Sequence, residues 1–371
     1  MATPSPTPSR GDGRVLVEWY FDTRKWYPTA TLPRHLEAHA ARAFAILPPA
    51  VRDRVLAYYH LSDAKMALGS ALIKHYAIAR LARDPAVTWD EVVTTGFTRD
   101  GKTKPTFVVA GKGRNGVGRQ PVVFNVSHQA GIVALVAVAG YPPPSLVPAA
   151  SPLGSRLVRQ QDIDLEDQPC QVGVDVVSTS ERRDRDRAKI MGQPRGWYDF
   201  VNTYGDAFSE NEVAFLKNEV LSAVPWLLHM TPGCNGAAPT AEQVADGKLR
   251  AFYAAWAMRE AYVKLTGDAL SAPWLKDLEF VRVAPPRPTA GWDVPAKEEE
   301  EAGEVVRNIE IRLKGRRVDD VNMCLRSLGD DCMIATAVRT PWNKQDALRW
   351  VLGPYEELIL EDVLKFAEED S

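Results

Sequence analysis

The chain is predicted to be an α+β protein with two halves, each pairing one long helix with strands that lean antiparallel. Three observations predict this. Apolar runs at 121–127 and 132–139 flank a short turn at His128 to Gly131, as a hairpin requires. A Pro-, Ser- and charge-dense stretch at 141–170 separates two regions of regular patterning. On either side of it lies one long stretch with the apolar period of a helix. The 371 residues, 45% of them hydrophobic, are enough for one large or two moderate domains with a packed core.

In chain order, residues 1–13 are rich in Pro, Ser and Thr and are expected to be a disordered tail, without the apolar core of a secretory signal or the pattern of a transit peptide. The N-terminal half, 14–140, opens with a strand at 14–20. A helix at 32–45 should stop before Leu47-Pro48-Pro49, followed by a helical stretch at 51–59. Ser62-Asp63 then starts a longer helix carrying Leu68, Leu72, Ile73 and Tyr76 toward a core, and the hairpin closes the half. Pro142-Pro143-Pro144 stiffens the start of the linker at 141–170.

The C-terminal half, 171–340, opens with a strand at 171–177. The very polar stretch 178–195 follows, its run from Glu181 to Arg187 reading as a solvated loop or helix face. Ser209 starts a helix by a capping box, with Glu212 reaching back. Residues 230–247 read as a surface insertion before a helix at 248–265. In that helix Ala255, Met258, Tyr262 and Leu265 form the core stripe and leave Glu260 and Lys264 at its edge. Strands at 278–283, 308–313, 324–328 and 332–338 are expected to complete a second sheet. The extension 341–371 has two helical patterns broken at Gly353-Pro354. The second, apolar at Leu358, Leu360, Val363, Leu364 and Phe366, is expected to pack back on the body, with a partner helix as the alternative.

The formal charge of −3, with acids and bases interspersed, gives no global signal for nucleic acid or an anionic membrane, so an anionic ligand must meet a local basic site. No apolar run approaches the ~20 residues that span a bilayer. Cys170, Cys234, Cys324 and Cys332 have no zinc-type spacing and fit reduced thiols in a cytoplasmic protein. The letters from Gly111 to Gly116 match a dinucleotide fingerprint, but they lead into a strand where that fingerprint opens a helix; they read as a flexible basic loop. His35, His39, His60, His75 and His229 form no ligand-like cluster.

Three segments carry chemistry. From Trp256 to Lys264, residues four apart put Trp256, Glu260 and Lys264 on one helix face. Alone, that Glu and Lys would be a surface salt bridge worth roughly 0.2–0.5 kcal/mol. Phe124-Asn125-Val126-Ser127-His128 is a strand with a polar end. Val172-Gly173-Val174-Asp175-Val176-Val177 sets one carboxylate among valines, which is costly unless the acid is paired, binds a metal or sits at a strand end.

With Lys104-Pro105 upstream and Phe208-Ser209-Glu210-Asn211-Glu212 between, these segments resemble the phosphopantetheinyl transferase family, in its two-halved type acting on many carrier proteins and in its eukaryotic, fungal-like form. The motifs span roughly residues 50 to 280. The resemblance implies two similar α+β halves in a pseudo-twofold arrangement, which no internal sequence repeat announces, and a monomer with coenzyme A in the cleft between the halves. It implies Mg²⁺-dependent transfer of 4′-phosphopantetheine from coenzyme A to a serine of apo acyl, peptidyl or aryl carrier proteins, releasing adenosine 3′,5′-bisphosphate, in fatty-acid, polyketide, nonribosomal-peptide or lysine biosynthesis.

The same resemblance assigns roles. Asp175 and Glu260 would hold the metal through hard oxygens. Glu260 would also be the general base, Lys264 would balance charge on the bridging oxygen or leaving group, and His128 and Ser127 would donate to a phosphate. Arg54, Arg99 and Lys104 align with phosphate-contacting or adenine-side positions. The alternative for His128 is a strand-end cap whose ring bonds nearby backbone. Many bacterial members carry Gly-x-Asp-x-Glu; here the Glu position is Val177, so a water is expected to complete the metal shell. The rival readings are a non-catalytic module binding carriers or coenzyme A and a metal-dependent pyrophosphate hydrolase; Asp175, Glu260 and Lys264 together argue against the former.

Overall fold

A computed structural model describes residues 13–82, 86–92, 95–99, 102–107, 121–141, 170–228, 239–268, 270–288 and 303–370, with 95–99 and 102–106 described by backbone alone. The expected tail, the linker, the basic loop at 111–116, His229, Cys234 and much of the insertion at 230–247 lie outside these residues. The first half contains β1 Val15–Asp22, the helices α1 Leu36–His39, α2 Ala41–Ala45, α3 Pro49–Leu56 and α4 Leu61–Leu81, and the hairpins β2 Thr95–Arg99 with β3 Lys102–Thr106 and β4 Val122–Gln129 with β5 Ile132–Ala139. The second begins with β6 Gln171–Ser178 and continues through α5 Arg183–Met191, α6 Gly196–Thr203, α7 Glu210–Asn218, α8 Pro225–Leu228 and α9 Ala241–Thr266. Then come β7 Leu278–Phe280, β8 Val305–Val306, β9 Ile311–Leu313, β10 Arg316–Arg317, β11 Val321–Leu328, β12 Cys332–Arg339, α10 Lys344–Leu348, β13 Glu356–Glu357 and α11 Leu360–Asp370.

The two main sheets have the orders β13-β1-β5-β4 and β6-β12-β11-β8. Each half therefore runs strand, long helix, hairpin, and in each the first strand pairs with the second arm of the hairpin. That is the duplication no sequence repeat shows. The inner faces of the two sheets meet. Leu16, Ile132, Ala134, Val136 and Val138 pack on Val172, Val174, Val176, Ile334 and Val338. On the outer face of the first sheet, Val17, Trp19, Phe21, Val133 and Leu135 pack on α4 through Leu68, Leu72 and Tyr76. On the outer face of the second, Val177, Met333, Ala335 and Ala337 pack on Ala257, Met258, Ala261 and Leu265 of α9. The order of layers is helix, sheet, sheet, helix, so β5, covered on both faces, is buried along its whole length.

Several elements differ from the sequence expectation. The helix at 32–45 is split: a 3₁₀ turn leads into α1, and Ala40 leaves helical geometry at φ −107°, ψ 20° before α2. α9 begins at Ala241 rather than 248, because Thr240 and Gln243 form a capping box inside what looked like an insertion. Gly247 is helical and packs on Leu227. The four late strands do not make one sheet: β9 pairs with β7 and with β10 in a separate three-stranded sheet, while β11 and β12 join β6. The β4–β5 turn is tighter than read, with only Ala130 and Gly131 outside the strands, at φ 50° and 84°. α11 packs back on the first half through Val363, Leu364 and Ala367, as expected. The charged run after Ser178 leads into helix α5, largely exposed but with Asp186 and Ile190 buried. Cys170, Cys324 and Cys332 are free thiols, and among the described residues no helix is long and apolar enough to cross a membrane.

Candidate active site

The halves join along the edges of β4 and β6, and the joint is made by side chains. On β4, Asn125, Ser127 and Gln129 alternate toward β6, and their oxygens accept from the backbone N–H groups of Val174 (2.9 Å), Val176 (3.3 Å) and Ser178 (3.2 Å). β6 already pairs with β12 on its other edge, so these amides would otherwise lack a strand partner. The polar strand end at Asn125 and Ser127 is thus a substitute for a neighbouring strand.

Ser127 does a second thing. Its hydroxyl donates to Asp175 Oδ1 at 3.0 Å and accepts from Lys264 Nζ at 2.9 Å, while the same ammonium reaches Asp175 Oδ1 at 2.5 Å. One residue from the first half and two from the second form a closed triangle. Burial pushes the Asp175 carboxyl above its usual range, although Lys264, Ser127 and the Val176 amide all favour the anion.

Gly173 explains how the helix comes so close. A Cβ there would overlap the Ala261 carbonyl oxygen and lie 2.6 Å from the Leu265 nitrogen, so only glycine lets α9 lie flat on β6. The rotation of α9 is fixed by the neighbour of Glu260. Arg259, fully buried, pairs with Glu212 and donates to the carbonyls of Leu275 (2.8 Å) and Leu278 (2.9 Å). Glu212 also accepts from the amides of Ser209 and Phe280. With Arg259 pointing away from the cleft, Glu260 comes out half-buried one turn before Lys264.

His128 points to the other side of β4 from Ser127 and is exposed. Partial burial of its ring, then Lys264 and Lys74, lower its pKa from the usual 6.5, while Asp63 and Asp175 act in the opposite sense. Arg54 is exposed on α3. Arg99 and Lys104 stand on β2 and β3, where Phe97 pairs with Lys104 and Arg99 with Lys102; their side chains lie outside the described residues. Val177 is 3% exposed and lies within the apolar cluster that holds Ala257 and Met258.

The donors fit a small hard cation. Asp175 and Glu260 offer carboxylate oxygens, and burial disfavours the Asp175 anion unless cations adjoin it. Among the described residues no group of three or more His, Cys, Asp or Glu side chains gathers, so Mg²⁺ here would take at most these two carboxylates and fill its shell with substrate oxygens and water. Sequence reasoning missed the tying role of Asn125 and Gln129 between the halves, and missed Lys74 of α4. The signal for Lys74 was a charge inside the apolar run Leu72-Ile73-Lys74-His75-Tyr76.

Comparison with known proteins fits this architecture. A family model described as the N-terminal part of 4′-phosphopantetheinyl transferase matches residues 25–140, and one described as the 4′-phosphopantetheinyl transferase superfamily matches 171–305. A 4′-phosphopantetheinyl transferase of Fusarium mangiferae is 38% identical over 96% of this chain and 97% of its own length. The chain belongs to the 4′-phosphopantetheinyl transferase family. It is also similar to a transferase of Aureobasidium melanogenum, 32% identical over 95% of this chain and 97% of that protein, and to the NpgA transferase of Emericella nidulans, 29% identical over 90% and 85%. The transferase moves 4′-phosphopantetheine to carrier proteins, and the two matched segments contain the two strands, β4 and β6, whose edges form the joint.

Proposed function

We propose that the transferase binds coenzyme A and Mg²⁺ in the cleft at the β4–β6 joint and passes 4′-phosphopantetheine to a serine of an apo carrier protein, acting as a monomer in the cytoplasm. The observation that carries this reading is the triangle of Ser127, Asp175 and Lys264, closed across both halves with Glu260 one turn away. The serine oxygen attacks the phosphorus bearing pantetheine, the bond from that phosphorus to the bridging oxygen breaks, and adenosine 3′,5′-bisphosphate leaves. The metal, held by Asp175 and Glu260, would supply positive charge to the phosphate oxygens.

Glu260 takes the serine proton. Beside a bound metal it would be a weak base, so proton removal would accompany attack. Lys264 presents its ammonium to the charge developing on the leaving oxygen, and Asp175 and Ser127 hold that ammonium in place. His128, kept neutral near pH 7, donates one ring N–H to a phosphate oxygen. Arg54, Arg99 and Lys104 bind the phosphates and the adenine side.

The test is to incubate the protein with coenzyme A, Mg²⁺ and an apo carrier domain, weigh the carrier intact and assay the small products. Modified carrier supports the reading. Free pantetheine phosphate would mean a pyrophosphate hydrolase, and unchanged carrier with bound coenzyme A a binding module.

A further inference from the structure

Lys74 stands on α4 between the buried residues Ile73 and His75, itself half-buried. Among the described residues it has no ion-pair or hydrogen-bond partner. Arg54, from α3, repels it, and its own charge is felt by His75 beside it and by His128 of β4. His128 in turn feels Lys264 from α9, with Asp63 of α4 and Asp175 of β6 acting the other way. Cationic groups from both halves therefore converge on His128. An ammonium drawn partly out of water, with a guanidinium nearby and no anionic partner among the described residues, is unfavourable by itself and becomes favourable when an anion arrives.

We propose that Lys74 is a further substrate-binding residue of the transferase, meeting phosphate oxygens of coenzyme A from the N-terminal half as Lys264 does from the C-terminal half. This rests on coenzyme A being the ligand of the cleft. Burial and Arg54 bring the Lys74 pKa down to about 8, so part of the population is uncharged in the free protein. Binding of the diphosphate then draws a proton onto Lys74, and product release returns it.

Calorimetric titration of coenzyme A at pH 8, in two buffers of different ionisation enthalpy, reads the affinity and the proton uptake together. The wild type should take up about half a proton at Lys74 when the complex forms. Lys74→Met should remove that uptake and weaken binding roughly tenfold to a hundredfold, as expected for a lost charged hydrogen bond. Lys74→Arg should keep the affinity but lose the uptake, because arginine is charged throughout; it carries the test if the methionine variant fails to fold. Only a binding lysine predicts this split, since a structural one would lower the melt and leave the proton count alone. Wild-type affinity and proton uptake in Lys74→Met would overturn the proposal. Carrier modification measured on the same wild-type preparation separates the two failures: if the carrier is modified while Lys74→Met is indistinguishable, only Lys74 loses its role. If the wild type neither binds coenzyme A nor modifies the carrier, both readings fall.

Discussion

At the scale of single residues, Ser127 and Lys264 meet the same oxygen of Asp175 and favour its anion against burial in a wall of valines. Glu260 has the complementary task, and Glu260→Gln keeps its shape while removing charge and basicity. That change should lower turnover about 10²–10⁴-fold with coenzyme A still bound; retention of more than roughly a tenth of wild-type turnover would exclude it as the base. Arg99→Ala or Lys104→Ala should raise the KM for coenzyme A more than it lowers kcat, since a phosphate contact away from the reacting bond contributes mainly uniform binding. A fall in kcat at constant KM would put these residues at the reacting phosphorus. The candidate residues Ser127, His128, Asp175, Glu260 and Lys264 were legible in the sequence because their types and spacing are unusual. Their partnerships were not: that Lys264 reaches Asp175 depends on how a helix settles on a strand 89 positions away. Lys74 escaped notice because one lysine in an apolar helical run looks like any solvated edge.

Elements carry these residues to their places, and two positions decide the fit of α9 on β6. Gly173→Ala would push the helix off the strand, so it should destabilise the fold by about 1–3 kcal/mol, as overpacking does, and reduce transfer together with the melting temperature. Val177→Glu separates the metal-shell expectation from the buried position observed. In the apolar cluster an unpaired carboxylate costs several kcal/mol, so the variant should melt well below wild type with no rescue by Mg²⁺. An intact melt with a lower half-saturating Mg²⁺ would return Val177 to the metal. The long helices and main strands were legible from periodicity because each has one or two buried faces. The early start of α9 was hidden by the Gly, Pro and Ala before it, although Thr240 and Gln243 spelled a capping box. The separate sheet of β7, β9 and β10 was hidden because alternation says that a strand pairs, not with which neighbour.

Across the whole molecule, the C-terminal segment ties the halves together. From Gly353 the chain lays β13 beside β1 in parallel and then packs α11 on the first core. The Gly353 amide donates to Glu18 Oε2 at 2.5 Å, and its carbonyl accepts from Arg326 of the second sheet. Glu18 lies on the inner face of β1, 3% exposed, and no alternation rule foresees a carboxylate there. Burial lifts its pKa to about 7 against an ordinary 4.5, outweighing the Gly353 amide, Thr336, Arg326 and Arg307. The folded protein therefore holds this proton between pH 4.5 and 7, where the unfolded chain has released it. Stability from Glu18 is full below that window and is lost as pH rises through it, by roughly 3 kcal/mol in all. Denaturant unfolding at pH 5 and pH 8 should show a decline in the wild type that is smaller by about that amount in Glu18→Gln, whose neutral amide has no proton to lose. Other buried acids, Asp175 and Glu212 among them, are displaced in the same direction and remain in both proteins, so the difference between the two slopes isolates Glu18. Equal slopes would mean that Glu18 is already ionised at pH 5 and that the charge of Arg326 and Arg307, rather than a shared proton, holds the clasp between the halves.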